Sequence, residues 1–401
     1  MRRERPTRER PLVVHVATVD MTLALLLGPQ LRAFAEAGYA VVGASAAGPY
    51  RQRIEATGAV FVPLRHATRS MRPVRDLRAL GELVRLFRRL RPDIVHTHNP
   101  KPGWYGRLAA RLAGVPHVVN TVHGLYALPE DPRAKRWLVY GLERAAAACS
   151  AAELVQNPED VETLARLGVP RSKLHQLGNG IDLARFDPTG VDPATAAEVR
   201  AGLLGADEEQ AGEVVLVGVV GRLVWEKGLR EVLDAARRLR TTNPEVRIVI
   251  VGPTDPEKAD GLDAADLDRL EIETGVRFAG ERHDMAAVYA ALDLFVLATY
   301  REGFPRAAME ASAMGLPVVA TDIRGCRQVV DDGVTGVLVP VRDALALAGA
   351  VAALADDPPR REAMGAAGIE RARAHFDQHR QIAVTLDVYR DLLGPGAPTS
   401  G

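Results

Sequence analysis

The sequence predicts an α/β protein of two domains, each a parallel sheet with crossover helices, and three observations carry that prediction. Short apolar runs alternate with helical stretches through both halves of the chain. The alternation restarts after a turn-rich segment near the middle. Polar, glycine-containing loops follow several of the apolar runs, at the end where an open parallel sheet binds its ligands. With 401 residues, 47% hydrophobic and 25% charged, the chain is long enough for two cores and has ordinary soluble composition.

Taken in order, residues 1–10, MRRERPTRER, are expected to be a disordered basic arm. The apolar LALLLG at 23–28 imitates a signal peptide, but the strand-like PLVVHVATV precedes it and no small-residue cleavage site follows. Strands are expected at 11–19, 39–44, 60–63, 93–97 and 117–122, which makes 11–178 a Rossmann-like domain. GNGID at 178–182 opens a Pro-, Gly- and Asp-containing hinge region. A second series at 214–220, 246–251, 276–279, 294–298 and 316–320 makes 179–375 another Rossmann-like domain.

Composition removes several function classes. The 51 basic and 51 acidic residues cancel, which speaks against a nucleic-acid binder. Cys149 and Cys326 stand alone, as in a reducing compartment such as the cytosol, and offer no structural zinc motif. No apolar run approaches the roughly 18–20 residues that cross a bilayer, so any membrane contact is expected to be peripheral.

The chemistry sits in the loops. In DLFVLATYREGFPRAAME, 293–310, a buried strand runs into a polar loop and a helix that Pro305 is placed to begin in its first turn. Free backbone N–H groups and the positive dipole end then face the cleft and favour an anion. Glu302 lies in the loop and Glu310 inside the helix, about 5–10 Å apart, so they address different parts of one ligand. In VVGRLVWEKG, 219–228, Gly221 lets the backbone approach a ligand, while Arg222 and Lys227 converge on a diphosphate, one as a fork and one as a point charge.

In the first half, DIVHTHNPK at 93–101 puts His96 and His98 on one strand face, followed by Asn99 and Lys101. A metal site needs a third ligand, and none lies nearby in sequence. The plain alternative is a pair of hydrogen-bonded histidines. His123 ends another strand, placed for a donor sugar or for a backbone partner. Segment 65–91 carries nine arginines against Asp76 and Glu82. On a helical wheel Leu77, Leu80, Val84 and Phe87 share one face and Arg75, Arg78, Arg85 and Arg89 the other, which suits either an anionic lipid surface or a solvated crossover helix.

EGFPRAAMEA with its E-x7-E spacing, GR…EKG, HTHNPK followed by GRLAARLAGVP, and TDIRGCR together resemble the family 4 retaining glycosyltransferases, especially members that extend lipid-linked capsule and O-antigen glycans. The resemblance implies the GT-B arrangement: two Rossmann-like domains facing across a cleft, with a C-terminal helix, 376–393, crossing back to complete an acceptor domain at 11–178. Residues 179–375 become the nucleotide-sugar donor domain. It also implies that Arg222 and Lys227, with Gly221, hold the diphosphate of a donor, UDP being favoured. Glu310 takes the ribose, Glu302 with Gly303, Phe304 and Pro305 positions the sugar, and His123 is the cleft histidine. His98, Asn99 and Lys101 are expected to meet a polyprenyl-diphosphate-linked or other glycan acceptor. No metal and no cofactor are expected, and the enzyme is expected to be cytoplasmic, with peripheral attachment to the inner face of the cell membrane open to it.

Two loops depart from the family pattern. Arg324, Arg327 and Gln328 stand where many members have a Gly-Gly-x-Pro-Glu turn, and TVDMT at 18–22 lacks their paired glycines. The competing readings are a nucleotide-sugar epimerase or phosphorylase of related fold, and a non-catalytic sugar-nucleotide-binding protein.

Overall fold

Two all-parallel sheets organise the chain in the computed structural model, which describes residues 9–70, 72–98, 100–127, 131–205, 214–255, 258 and 260–398. Residues 1–8 of the basic arm and the candidate Asn99 lie outside them. The chain divides into two units, one running to Gly178 and resuming at His379, the other spanning Asn179–Gln378.

The first unit holds β1 (Leu12–Val19), β2 (Ala40–Ala46), β3 (Val60–Pro63), β4 (Ile94–His98), β5 (His117–Val122), β6 (Ala152–Val155) and β7 (Leu174–Gln176), in the order β3-β2-β1-β4-β5-β6-β7. The second holds β8 (Val215–Val220), β9 (Val246–Val251), β10 (Arg277–Gly280), β11 (Leu294–Leu297), β12 (Val318–Thr321) and β13 (Gly336–Val339), in the order β10-β9-β8-β11-β12-β13. Each order reverses direction once, between β1 and β4 and between β8 and β11. The crevice beyond the carboxyl ends of such a pair is where doubly wound sheets bind ligands.

The central strands read as apolar runs because both of their faces are covered: Val215–Val219 and Leu294–Leu297 are buried throughout. Each such side chain contributes about 1.5–3 kcal/mol on leaving water. Strands β6, β7 and β13 were not expected from sequence, being only four, three and four residues long. In β6 the pattern is broken by Glu153, a carboxylate with no exposure, held by Arg107 and Asn120.

The last helix, Gln378–Leu393, gives Ile382, Leu386, Val388 and Tyr389 to the core that contains Val13, Phe34 and Ile94. In the second unit Ile181 donates its N–H to the Phe376 carbonyl at 2.8 Å and accepts from Gln378 N–H at 3.1 Å. Gly180 permits this pairing, since a Cβ there would lie 2.6 Å from the Gln378 backbone.

The basic helix runs Pro73–Leu90, and its buried face is Ala79, Leu83, Leu86 and Phe87. The face read from the wheel is therefore corrected at Leu77, which is 70% exposed beside Val74 at 66%. Among the described residues no helix is long and apolar enough to cross a membrane.

Candidate functional site

In the second unit the loops after β8 and β11 are laced together at the point where strand order reverses. Tyr300 donates its N–H to the Glu226 carbonyl at 3.1 Å. Gly228, at φ 73°, is the one residue type that fits there, because a Cβ would sit 2.0 Å from the Ala298 carbonyl oxygen. This approach brings Lys227 Nζ onto Glu302 Oε1 as an ion pair. Arg222 Nη1 pairs with Asp255 Oδ2 at 2.6 Å, Asp255 coming from the loop after β9. Both cations expected to meet a diphosphate thus already face carboxylates.

Glu302 is fixed from a third side. A Cβ on Gly325, in the loop after β12, would be 2.5 Å from the Glu302 carbonyl oxygen, so only glycine allows the two loops to touch. Asn179 Nδ2 donates to the Phe304 carbonyl at 2.9 Å, and the Phe304 ring meets Phe376 edge-on at 6.2 Å. Pro305 is the N-cap of helix Arg306–Ala313 rather than a residue of its first turn, as expected from sequence. Within that helix Glu310 accepts from the Tyr289 hydroxyl at 3.1 Å. Burial pushes the Glu310 carboxyl above the usual range, opposed by nearby Arg306.

In the first unit four imidazoles gather at β1, β4 and the end of β5. His15 Nδ1 lies 3.0 Å from His98 Nε2, and His98 Nδ1 lies 3.3 Å from His123 Nε2. His96 is held by the Tyr389 hydroxyl at 2.5 Å and by Thr121 Oγ1 at 2.7 Å. Burial pushes His15 down to about 3 and, against a hydrogen bond with Gln156 that favours the charged ring, His123 to about 4. His15 supplies the third histidine that sequence spacing did not offer, and His15, His96 and His98 bring one nitrogen each within 4.8 Å of the others. Both nitrogens of His96 and of His98 already have protein partners, so a cation there would have to displace them.

Two acceptor candidates, His98 and Lys101, are engaged within the protein itself. His98 is wholly buried between His15 and His123. Lys101 is 7% exposed; its ammonium donates to the Thr68 carbonyl at 2.9 Å, the Thr68 hydroxyl at 3.2 Å and the Ser70 carbonyl at 2.8 Å, and forms an ion pair with Asp76. A substrate would meet these two side chains only by displacing their present partners. The glycine-poor loop after β1 is explained by Asp20, whose oxygens accept from Met21 N–H and Tyr50 N–H, both at 2.8 Å.

Sequence reasoning missed Asp255, Tyr289, Asn179 and His15. Of these only His15, a lone polar residue inside an apolar strand, carried a signal. The others act through contacts between elements distant in the chain.

Residues 26–180 match the glycosyl transferase 4-like domain, and residues 206–371 match glycosyl transferases group 1. The chain is 33% identical over 303 residues, 75% of each protein, to an Escherichia coli UDP-Gal:alpha-D-GlcNAc-diphosphoundecaprenol alpha-1,3-galactosyltransferase. It is 26% identical to the Staphylococcus aureus capsular polysaccharide biosynthesis glycosyltransferase CapM, over 91% of this chain and 93% of that one. Among solved structures, Anabaena HepE in complex with UDP and glucose superposes at a TM-score of 0.76 with 18% identity, covering 95% of this chain and 99% of that one. Sucrose-phosphate synthase from Thermosynechococcus elongatus gives a TM-score of 0.78 at 23% identity, covering 96% and 99%.

Proposed function

The chain belongs to the family of group 1 glycosyltransferases with a 4-like N-terminal domain, and we propose that it moves a sugar, with retention, from UDP to a hydroxyl of a lipid-linked glycan in cell-surface polysaccharide synthesis. The relatives named for diphosphoundecaprenol and capsular substrates support the acceptor class. The observation that carries the reading is the ion pair of Lys227 with Glu302 at the strand-order reversal of the second unit.

A donor diphosphate takes Lys227 away from Glu302 and Arg222 away from Asp255. Arg222 then offers a planar fork and Lys227 a point charge to the phosphate oxygens, and the charge that develops on the leaving group is neutralised without a metal. Glu302, released, faces the anomeric carbon as its bond to the phosphate oxygen breaks and positive charge grows there. A well-placed group of this kind is worth about 3–4 kcal/mol at the transition state. Glu310, oriented by Tyr289, accepts from the ribose hydroxyls. The acceptor oxygen bonds to the anomeric carbon on the face the phosphate leaves, and the acceptor proton passes to the departing phosphate oxygen. No protein nucleophile is required. His123 contributes a neutral imidazole to the sugar.

The enzyme works as a peripheral protein on the cytoplasmic face of the membrane, through helix Pro73–Leu90. Its acids are turned inward: Asp76 meets Lys101, and Glu82 accepts the N–H groups of Arg65 and His66 at 3.0 and 3.1 Å. Arg75, Arg78, Arg85 and Arg89 with exposed Val74 and Leu77 are left outward, a combination suited to anionic lipid.

The test is product-detected transfer from a panel of UDP-sugars to polyprenyl-diphosphate glycans, run with and without EDTA. Transfer that survives chelation is the expected result. Abolition by EDTA with recovery in magnesium or manganese overturns the metal-independent mechanism, and absence of any transfer overturns the substrate assignment.

A further inference from the structure

Beside the end of β5 lies a cavity of about 120 Å³ whose wall includes Trp104, Thr121, His123, Gly124, Tyr126 and Glu143. Behind it runs a buried polar chain. Arg107, without exposure, donates from Nη2 to Glu143 Oε1 at 2.5 Å, from Nη1 to Glu153 Oε1 at 2.6 Å and from Nε to the Gly103 carbonyl. Asn120 Nδ2 donates to Glu153 Oε2 at 2.8 Å, and Thr97 Oγ1 to Asn120 Oδ1 at 2.7 Å. At the cavity end the Trp104 indole N–H donates to Glu143 Oε2 at 2.9 Å.

Burying a guanidinium between two carboxylates carries a desolvation cost that an apolar cluster of the same volume avoids, so the fold gains little stability from it. What the network does fix is geometry. Arg107 orients Glu143, Glu143 orients the Trp104 ring, and both reach the cavity with rotamers locked from behind.

A clamped indole beside a clamped carboxylate is the chemistry of a neutral sugar. The aromatic plane offers a large rigid apolar surface to the C–H face of a pyranose. Each Glu143 oxygen has spent one acceptor position and keeps another for a hydroxyl proton. Two carboxylates against one guanidinium make the wall unsuited to a phosphate. We propose that this cavity seats the terminal sugar of the acceptor, His98 and Lys101 being engaged within the protein. The proposal rests on the glycosyltransferase reading and adds the acceptor's binding residues to it.

The chain has three tryptophans, so a Trp137→Phe/Trp225→Phe protein emits from Trp104 alone. Titration with methyl α-D-glucoside, methyl α-D-galactoside and methyl N-acetyl-α-D-glucosaminide is expected to give a saturable change in emission with at least one, weakened about tenfold or more by Glu143→Gln, and none with pyrophosphate. In transfer assays Trp104→Ala is expected to raise the acceptor KM at least tenfold, with Trp104→Phe recovering part of the loss. UDP-induced stabilisation of both variants should match the parent, which verifies folding and separates this site from the donor site. Absence of a saturable response to all three glycosides, a response to pyrophosphate alone, or an unchanged acceptor KM in Trp104→Ala overturns the proposal. Absence of UDP stabilisation in the parent overturns the donor reading instead.

Discussion

Lys227 and Glu302, 75 residues apart in the chain, close an ion pair across the ends of β8 and β11. The pair brings together the two side chains that the proposed mechanism assigns to opposite ends of the breaking bond. Each neutralises the other, and in the proposed mechanism an arriving diphosphate competes with Glu302 for the lysine. On that proposal, donor binding and release of the Glu302 carboxylate are one event.

Glu310, assigned to the ribose in the proposed mechanism, is a buried carboxyl that carries a stability cost. Its pKa is raised by burial, so the folded state is favoured most while the carboxyl is protonated, and stability falls as pH rises through the raised value. Above the raised value the ionised group therefore costs stability. Glu310→Gln should raise the ligand-free Tm, by about 2–4 °C per kcal/mol recovered, while weakening UDP and UDP-sugar binding equally. A lower Tm or unaltered UDP affinity would count against the ribose assignment.

The histidine cluster sets the acid limit of the first unit. His15 and His123 are depressed to about 3 and 4 by burial, and His96 and His98 lie well below the usual range for the same reason. Below pH 6.5 the unfolded chain takes up protons that the folded one refuses, so stability is fully present above that value and declines as pH falls towards 4. For buried His15 alone the slope is about 1.4 kcal/mol per pH unit. His15→Phe, which keeps a ring against Phe34, should flatten the decline, as measured by urea unfolding at stepped pH. An identical slope in the variant would show that His15 does not titrate in this way.

Gly325 holds Glu302 in place by proximity rather than by a special backbone angle, since its φ is −71°. Gly325→Ala should displace the Glu302 backbone, lowering turnover at least tenfold with little change in UDP affinity. Steady-state kinetics alongside calorimetric UDP titration separates the two effects.

Membrane attachment through helix Pro73–Leu90 predicts salt-sensitive sedimentation with anionic vesicles. Replacing Arg75, Arg78, Arg85 and Arg89 with Gln should abolish it and leave UDP binding intact. Unchanged sedimentation would return this helix to an ordinary solvated crossover.

Both sheets were legible in the sequence wherever strands are long and apolar, as at 246–251, where the expected and observed bounds coincide. β6 escaped because Glu153 breaks its apolar run, and the burial of that carboxylate depends on Arg107, 46 residues away. The strand-end positions of Arg222, Lys227 and Glu302 could be read because each sits in a local motif directly after an apolar run. Burial of Lys101 could not: it depends on carbonyls at Thr68 and Ser70 that no local pattern announces. Leu77 was misplaced because helical periodicity identifies a stripe but not where along the helix its neighbours end.

The most direct test of the mechanism is to measure turnover and UDP affinity together in Glu302→Gln. Removing the carboxylate charge leaves Lys227 free for the diphosphate, so UDP affinity should stay the same or tighten. Turnover should fall about 100- to 1,000-fold with loss of the group that faces the developing positive charge. Near-normal turnover, or a loss of UDP affinity as large as the loss of turnover, would contradict the division of labour between Lys227 and Glu302.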